Sequence, residues 1–221
     1  IDCLDAAGSA SGIIIANVAP RSGAGKRWTN GTPFGYFYIN NTLVLSSIAG
    51  LTLSLVKKLS LAKEIFVIDL EATTNAAVRD GLINNDHAGR ILRSQFRSFD
   101  FLPFAARWLY DKRPLISKPM PLNDVLDVGT LIWMIDNFGN CVTTMLPEEL
   151  GNRNELETTW GLLPIYPRLK DVPNGISATI TGSSGIGTRR FLEIVTQGGN
   201  AAQIHKIKVG DQVVTNQKVD K

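Results

Sequence analysis

The feature that most constrains this chain is a change of periodicity at a proline-rich break. The segment KRPLISKPMPLND, residues 112–124, holds three prolines in thirteen positions and keeps no helical or strand period. Upstream of it, apolar β-branched runs at 13–18, 34–45 and 65–70 read as strands of a sheet covered on both faces. Between and after them, GLTLSLVKKLSLAK (50–63) and PFAARWLYDK (103–112) carry helical spacing, the second with proline in its first turn. Strands that alternate with helices predict an α/β unit built on a mixed or parallel sheet. Downstream, GTLIWMIDNFGNCVTTML (129–146) reads as two strands joined at the tight turn NFGN. The stretches ISATITGSSGIG, RFLEIVTQGG and VGDQVVTNQ add short strands broken by glycine, with no helix beyond two turns after residue 147. The expectation is an α/β domain over 1–115, a linker over 116–123 and an all-β, barrel-like domain over 124–221.

Composition excludes several classes. A net charge of +3 with no dense basic run argues against nucleic acid as a partner. No apolar run reaches the roughly 18 residues that span a bilayer. Two distant cysteines (Cys3, Cys141) and two histidines (His87, His205) make no zinc spacing, and together with the low cysteine use they predict a cytoplasmic, metal-free protein. The opening IDCLDAAG has no methionine and no signal-like core, so a preceding segment is expected. His87 reads as an exposed loop residue, and His205 has no evident partner.

The stretch VAPRSGAGKR, residues 18–27, ends a predicted strand in a basic, glycine-rich loop. It is not a phosphate-binding P-loop, because GAGKR lacks the hydroxyl residue that would hold magnesium. It is not a dinucleotide fingerprint either, because the glycine spacing is wrong and no helix pattern follows. Asp136 closes an apolar strand before NFGN, where a carboxylate either receives a ligand ammonium or orders the turn. Asn140 is open in the same way, as a turn residue or an amide that reads a base edge. Arg189 and Arg190, after a Gly/Ser-rich loop, are a carboxylate clamp or a solvated pair.

Several segments, in order, resemble the S-adenosylmethionine (SAM) hydroxide adenosyltransferases and the related fluorinating and chlorinating enzymes. VAPRSGAGKR is similar to the family's strand followed by VDPGVGT, and YFYINNTLVLSS to YFVGPDNGLLS. SQFRSFDFLPFAARWL resembles STFHGRDIFAPVAAHL, and GTLIWMIDNFGNCVTTM resembles GEVIYIDRFGNLITNI. RFLEIVTQGGNAAQIHKIKVGDQV resembles GYLEIAVNQGNAAELLGLKVGDEV.

The resemblance implies an α/β domain followed by a β-barrel-like domain, assembled as a homotrimer with SAM at the subunit interface. It implies displacement at the ribose 5′ carbon with methionine as leaving group, giving adenosine when water or hydroxide attacks, and no cofactor beyond SAM itself. By resemblance, Asp136 receives the methionine ammonium and Asn140 reads adenine beside Phe138. Thr188 and Arg189 hold the methionine carboxylate, and Gln197 and Gly198 face the adenine edge. Phe96 falls among the substrate-binding residues, and Ser22, Lys26, Arg27, Arg97 and Ser98 fall on the nucleophile side as the catalytic set. The hydroxide-using members carry Asp, Arg and His there; this chain has Ala19, Lys26 beside Arg27, and Arg97. The halide-using members carry small hydroxyls, matched by Ser22 and Ser98, but their aromatic residue is replaced by Ala19. The family's ribose-binding Asp falls upstream of this sequence. The alternatives to cleavage are a SAM- or adenosine-binding sensor or scaffold without turnover, and a halide-using transferase.

Overall fold

The computed structural model describes residues 1–18, 31–48 and 51–214. The chain divides into two compact units: Ala7–Asp127, and Ile1–Ala6 together with Val128–Lys221.

The first unit is built on a mixed five-stranded sheet in the order β1-β3-β2-β4-β5. Its strands are β1 (Gly12–Ala16), β2 (Phe34–Ile39), β3 (Thr42–Ser47), β4 (Glu64–Ile68) and β5 (Ser117–Pro121). Only β1 and β3 are parallel; the other neighbours run antiparallel. The apolar run at 34–45, expected to be one strand, is a hairpin. Asn40 takes a positive φ of 51°, and Ile39 pairs with Thr42 across the Asn40-Asn41 turn. Asparagine tolerates that conformation better than branched residues do, which is why an Asn-Asn pair can turn the chain in the middle of an apolar run. Strand β3 is buried throughout, and β2 everywhere except at Tyr38. The sheet as a whole is not, because Ile13 and Ile15 of the edge strand β1 remain 42% and 44% exposed. The stretch 116–123, read as a linker, contains β5, which pairs with β4 from Glu64↔Pro121 to Ile68↔Ser117. Its prolines are compatible with pairing because an edge strand needs its N–H groups on one side only.

Helix α2 (Leu51–Lys58) buries Leu53, Leu55 and Val56. Two helices absent from the sequence reading follow: α3 (Leu70–Arg79) and α4 (Asn85–Arg93). Each has a side-chain N-cap, Asp69 accepting from Ala72 N–H and Asn84 from His87 N–H, which satisfies an otherwise orphan amide. His87 therefore lies in the first turn of α4, half-buried, with its Nε2 3.2 Å from the Asp100 carbonyl. Helix α5 (Arg97–Tyr110) starts six residues before the expected proline. Pro103 is exposed inside it, so the acceptor left by its missing N–H is on the solvent side. Phe101 stacks on Phe34 with ring centroids 6.1 Å apart, and Leu102, Ala105 and Ala106 complete the seam against the sheet.

The second unit is a curled six-stranded half-barrel in the order β6-β7-β11-β10-β9-β8. Its strands are β6 (Ile132–Ile135), β7 (Cys141–Thr143), β8 (Glu155–Thr158), β9 (Gly161–Tyr166), β10 (Ser177–Ile186) and β11 (Arg189–Thr196). One face buries Ile132, Leu156, Leu192 and Ile194 with Ala201 of the short helix α6 (Ala201–His205). The other buries Ala178, Ile180, Val195 and Val172. A bulge between Thr181 and Gly185 bends β10, and α1 (Asp2–Ala7) is anchored there. Asp2 accepts from Ser184 Oγ and Gly185 N–H. Asp5 accepts from Gly187 N–H at 2.7 Å and from Arg190 Nη1 at 2.7 Å.

Candidate functional site

The first candidate region is a cavity of about 860 Å³ in the first unit, lined by the ends of β1 and β3 and the start of α5. Asn17 follows β1, and its Nδ2 donates to Ser98 Oγ at 2.9 Å. Ser47 Oγ donates to the Val18 carbonyl at 2.9 Å, tying the end of β3 to the chain leaving β1. Arg97 is half-buried: Nη2 donates to the Thr32 carbonyl at 3.2 Å, and the guanidinium carbon is 5.5 Å from the Phe34 ring centroid. Burial pulls the Arg97 pKa below the usual guanidinium value, the direction expected of a cation partly removed from water. Phe96 and Phe99 rim the opening, 63% and 81% exposed. Among the described lining residues there is no carboxylate and no imidazole. Ser22, Lys26 and Arg27, expected on the same side, lie outside the described residues.

The second region is the turn from Asp136 to Asn140 in the half-barrel. Asp136 Oδ1 accepts from the N–H groups of Phe138 and Asn140, both at 2.9 Å, and Oδ2 accepts from Asn140 Nδ2 at 2.9 Å. Gly139 has a φ of 85°, and a Cβ there would run into the Asn200 side chain; its carbonyl accepts from Ala202 N–H. The turn therefore docks on the segment that follows β11. Gln197 N–H donates to the Ile176 carbonyl and its own carbonyl accepts from Gly175 N–H, while Gly198 at φ 74° turns against Asn174. Phe138 is 77% exposed above this surface.

Asp136, Phe138 and Asn140 thus share one turn, grouped with Asn200 and Ala202 in the segment that Gln197 and Gly198 lead into. Thr188 and Arg189 are not in that group. They sit at the opposite end of β11, whose eight residues span about 26 Å at about 3.3 Å each, and Arg189 Nη2 faces Glu148 at 3.7 Å.

Three features of the half-barrel escape sequence reading. Glu193 is buried in the middle of β11 opposite Ile180, accepting from Ser183 N–H at 3.1 Å. Burial pushes its carboxyl up, the Ser183 amide opposes this, and the Asp136 charge adds to the rise. Burial likewise pushes the Cys141 thiol up to about 12, with Asp136 and Glu193 contributing. His205, read as partnerless, has Nε2 2.8 Å from Ser177 Oγ, which in turn lies 2.8 Å from Thr196 Oγ1. No local pattern reveals these contacts, because each joins positions set by sheet register.

Among the described residues there is no cluster of three metal-ligating side chains and no helix long and apolar enough to cross a membrane. The fold and the two regions define a protein with a mixed-sheet α/β unit and a half-barrel unit, each presenting one polar, aromatic-rimmed surface. Residues 130–214, which contain all six strands of the half-barrel, match the family model of the SAM hydroxide adenosyltransferase C-terminal domain. No curated protein matches the chain in sequence. Among solved structures, an uncharacterized conserved protein from Thermotoga maritima aligns with a TM-score of 0.61 at 17% identity, over 91% of this chain and 76% of its own. A conserved hypothetical protein from Thermus thermophilus aligns with a TM-score of 0.54 at 18% identity, over 92% and 74%. These likenesses extend the shared fold across nearly the whole chain.

Proposed function

We propose that the protein binds SAM and promotes nucleophilic displacement at its ribose 5′ carbon, releasing methionine. The observation that carries this reading is the Asp136–Asn140 turn. It lies inside the segment that matches the SAM hydroxide adenosyltransferase domain, and it presents a carboxylate and an amide side by side. A carboxylate there attracts the methionine ammonium, the Asn140 amide can pair with a base edge, and Phe138 offers a flat apolar surface beside it. The sulfonium is already a good leaving group, so the protein's contribution is to hold the nucleophile in line and partly strip its water. In this reading the Arg97 cavity lies on the nucleophile side, and the protein works as a homotrimer with the half-barrel of one subunit facing the α/β unit of the next.

Incubation of the purified protein with SAM, followed by mass spectrometry, tests the reaction; methionine release is the expected outcome. Calorimetry tests binding separately. A second reading, a SAM sensor without turnover, is favoured by the lack of a carboxylate or imidazole among the described residues lining the cavity. Tight binding with SAM recovered intact supports that reading, and absence of binding rejects both.

A further inference from the structure

We propose that the α/β cavity is a subsite for a small oxyanion, phosphate or carboxylate, held by Arg97 and the first turn of α5, and that this oxyanion is the nucleophile. The second half of the proposal rests on the adenosyl reading above; the first does not.

Three observations meet in the cavity. Arg97 is a half-buried cation whose hydrogen bonding among the described residues is limited to the Thr32 carbonyl, and no carboxylate among them lies within ion-pair distance. A guanidinium has five N–H donors in a planar fork, so most of its capacity is left for a planar or tetrahedral oxyanion. The Phe34 ring beneath it and its contact with Thr32 fix the plane of the fork. The second observation is the start of α5, which lines the same cavity. Phe96 provides no side-chain cap for the helix. A 14-residue helix that begins uncapped beside a cation favours negative charge there. The third is the neutral polar wall: Ser98 Oγ receives from Asn17, which leaves its own proton to donate into the cavity.

The same set is poorly suited to water. A water nucleophile needs a base, and neither arginine nor the serine and asparagine side chains take a proton at neutral pH. An oxyanion arrives already deprotonated. One of its oxygens supplies the electron pair for the new O–C5′ bond, and the C5′–S bond breaks with its pair retained by sulfur. Methionine then leaves as a neutral thioether. Hydrogen phosphate and the SAM sulfonium give the adenosine 5′-phosphate ester, a carboxylate gives the 5′ ester, and no proton, oxidant or reductant is required.

The test uses the full chain with inorganic phosphate, acetate and chloride as probes. Calorimetry should show phosphate or acetate binding that weakens about 10-fold or more in Arg97→Ala, with chloride much weaker. Arg97→Lys keeps the charge but loses the fork, and should recover only part of the affinity. Arg107→Ala, which removes an exposed cation from the same helix, should leave binding unchanged and serves as the control. Oxyanion affinity equal in wild type and Arg97→Ala, with circular dichroism unchanged, overturns the subsite. With SAM present, uniformly ¹⁸O-labelled phosphate should yield an adenosine phosphate ester that keeps all four labelled oxygens, and acetate should yield the acetyl ester. Conversion of SAM to adenosine alone overturns the nucleophile assignment while the adenosyl reading survives. Arg97-dependent oxyanion binding with no SAM binding does the reverse: the subsite stands and the adenosyl reading falls.

Discussion

Replacement of Asp136 separates its role in the turn from the role toward a ligand proposed above. The carboxylate accepts three hydrogen bonds, two from backbone N–H groups through Oδ1 and one from Asn140 through Oδ2. Alanine loses all three. For a half-exposed turn each contributes about 1 kcal/mol, so the loss is roughly 2–3 kcal/mol. Asparagine keeps an oxygen for the two backbone donors, and Asn140 can present its own oxygen to the new amide, so its cost is about 0.5–1 kcal/mol. If the half-barrel unfolds as a unit of its size, these correspond to Tm decreases of roughly 10–20 °C and 3–6 °C. Ligand binding should follow a different order. Asparagine removes the negative charge as completely as alanine does, and a charge-assisted pair with an ammonium contributes about 2 kcal/mol, or about 30-fold in affinity. The expected pattern in paired scanning-calorimetry and SAM-titration measurements is therefore a small stability loss and a large affinity loss for Asp136→Asn. An asparagine variant that binds SAM as tightly as wild type would show that the carboxylate serves the turn alone.

Glu193→Gln should raise Tm at neutral pH, because burial holds the native carboxyl above its unfolded pKa. The gain over wild type should shrink as pH falls below the unfolded carboxylate range, where both side chains are neutral, and a Tm series from pH 4 to 8 checks it. The hydrogen bonds from Gly187 and Arg190 hold Asp5 below the usual carboxylate range, so its contribution is present above the unfolded pKa and lost as pH falls through the lower native value. Asp5→Asn should accelerate amide exchange at Gly187 at neutral pH. In the native protein a maleimide should label exposed Cys3 and leave Cys141, fully buried with its thiol near 12, unreacted until denaturant is added; mass spectrometry counts the adducts. Asn40→Val should cost about 1–2 kcal/mol by forcing a branched residue to a φ of 51°, while Asn40→Gly should be tolerated, as denaturant midpoints would show.

The two textures of the sequence correspond to the two kinds of unit because period is a local property. Strand cores such as Ile65 and Ile194 announce themselves by composition, and the NFGN turn by its residue types. What stays hidden depends on contacts distant along the chain. The prolines at 119 and 121 suggest a linker until the vacant edge of β4 is known to be there. Helix α5 is legible only from its proline onward, since nothing local says that Pro103 faces solvent. The same limit applies to the site. Asp136 and Asn140 are legible because they share one turn, whereas the separation of Arg189 from them appears only once β11 is paired. Arg97 is conspicuous as a cation at a position where the resembled enzymes keep histidine; its contacts with Thr32 and Phe34 need the fold.

The anchoring of α1 has a consequence for synthesis. Asp2 is bonded to Ser184 across 182 positions of chain. At about 5–20 residues per second, the first helix waits roughly 10–40 s after its own synthesis before that partner is made. The half-barrel is therefore completed from segments 182 positions apart, after the intervening unit has had time to fold. A fragment starting at residue 128 would leave the β10 bulge and Arg190 without their carboxylates. Supplying residues 1–7 as a separate peptide would measure, as a binding constant, how tightly α1 is clasped to the β10–β11 bulge.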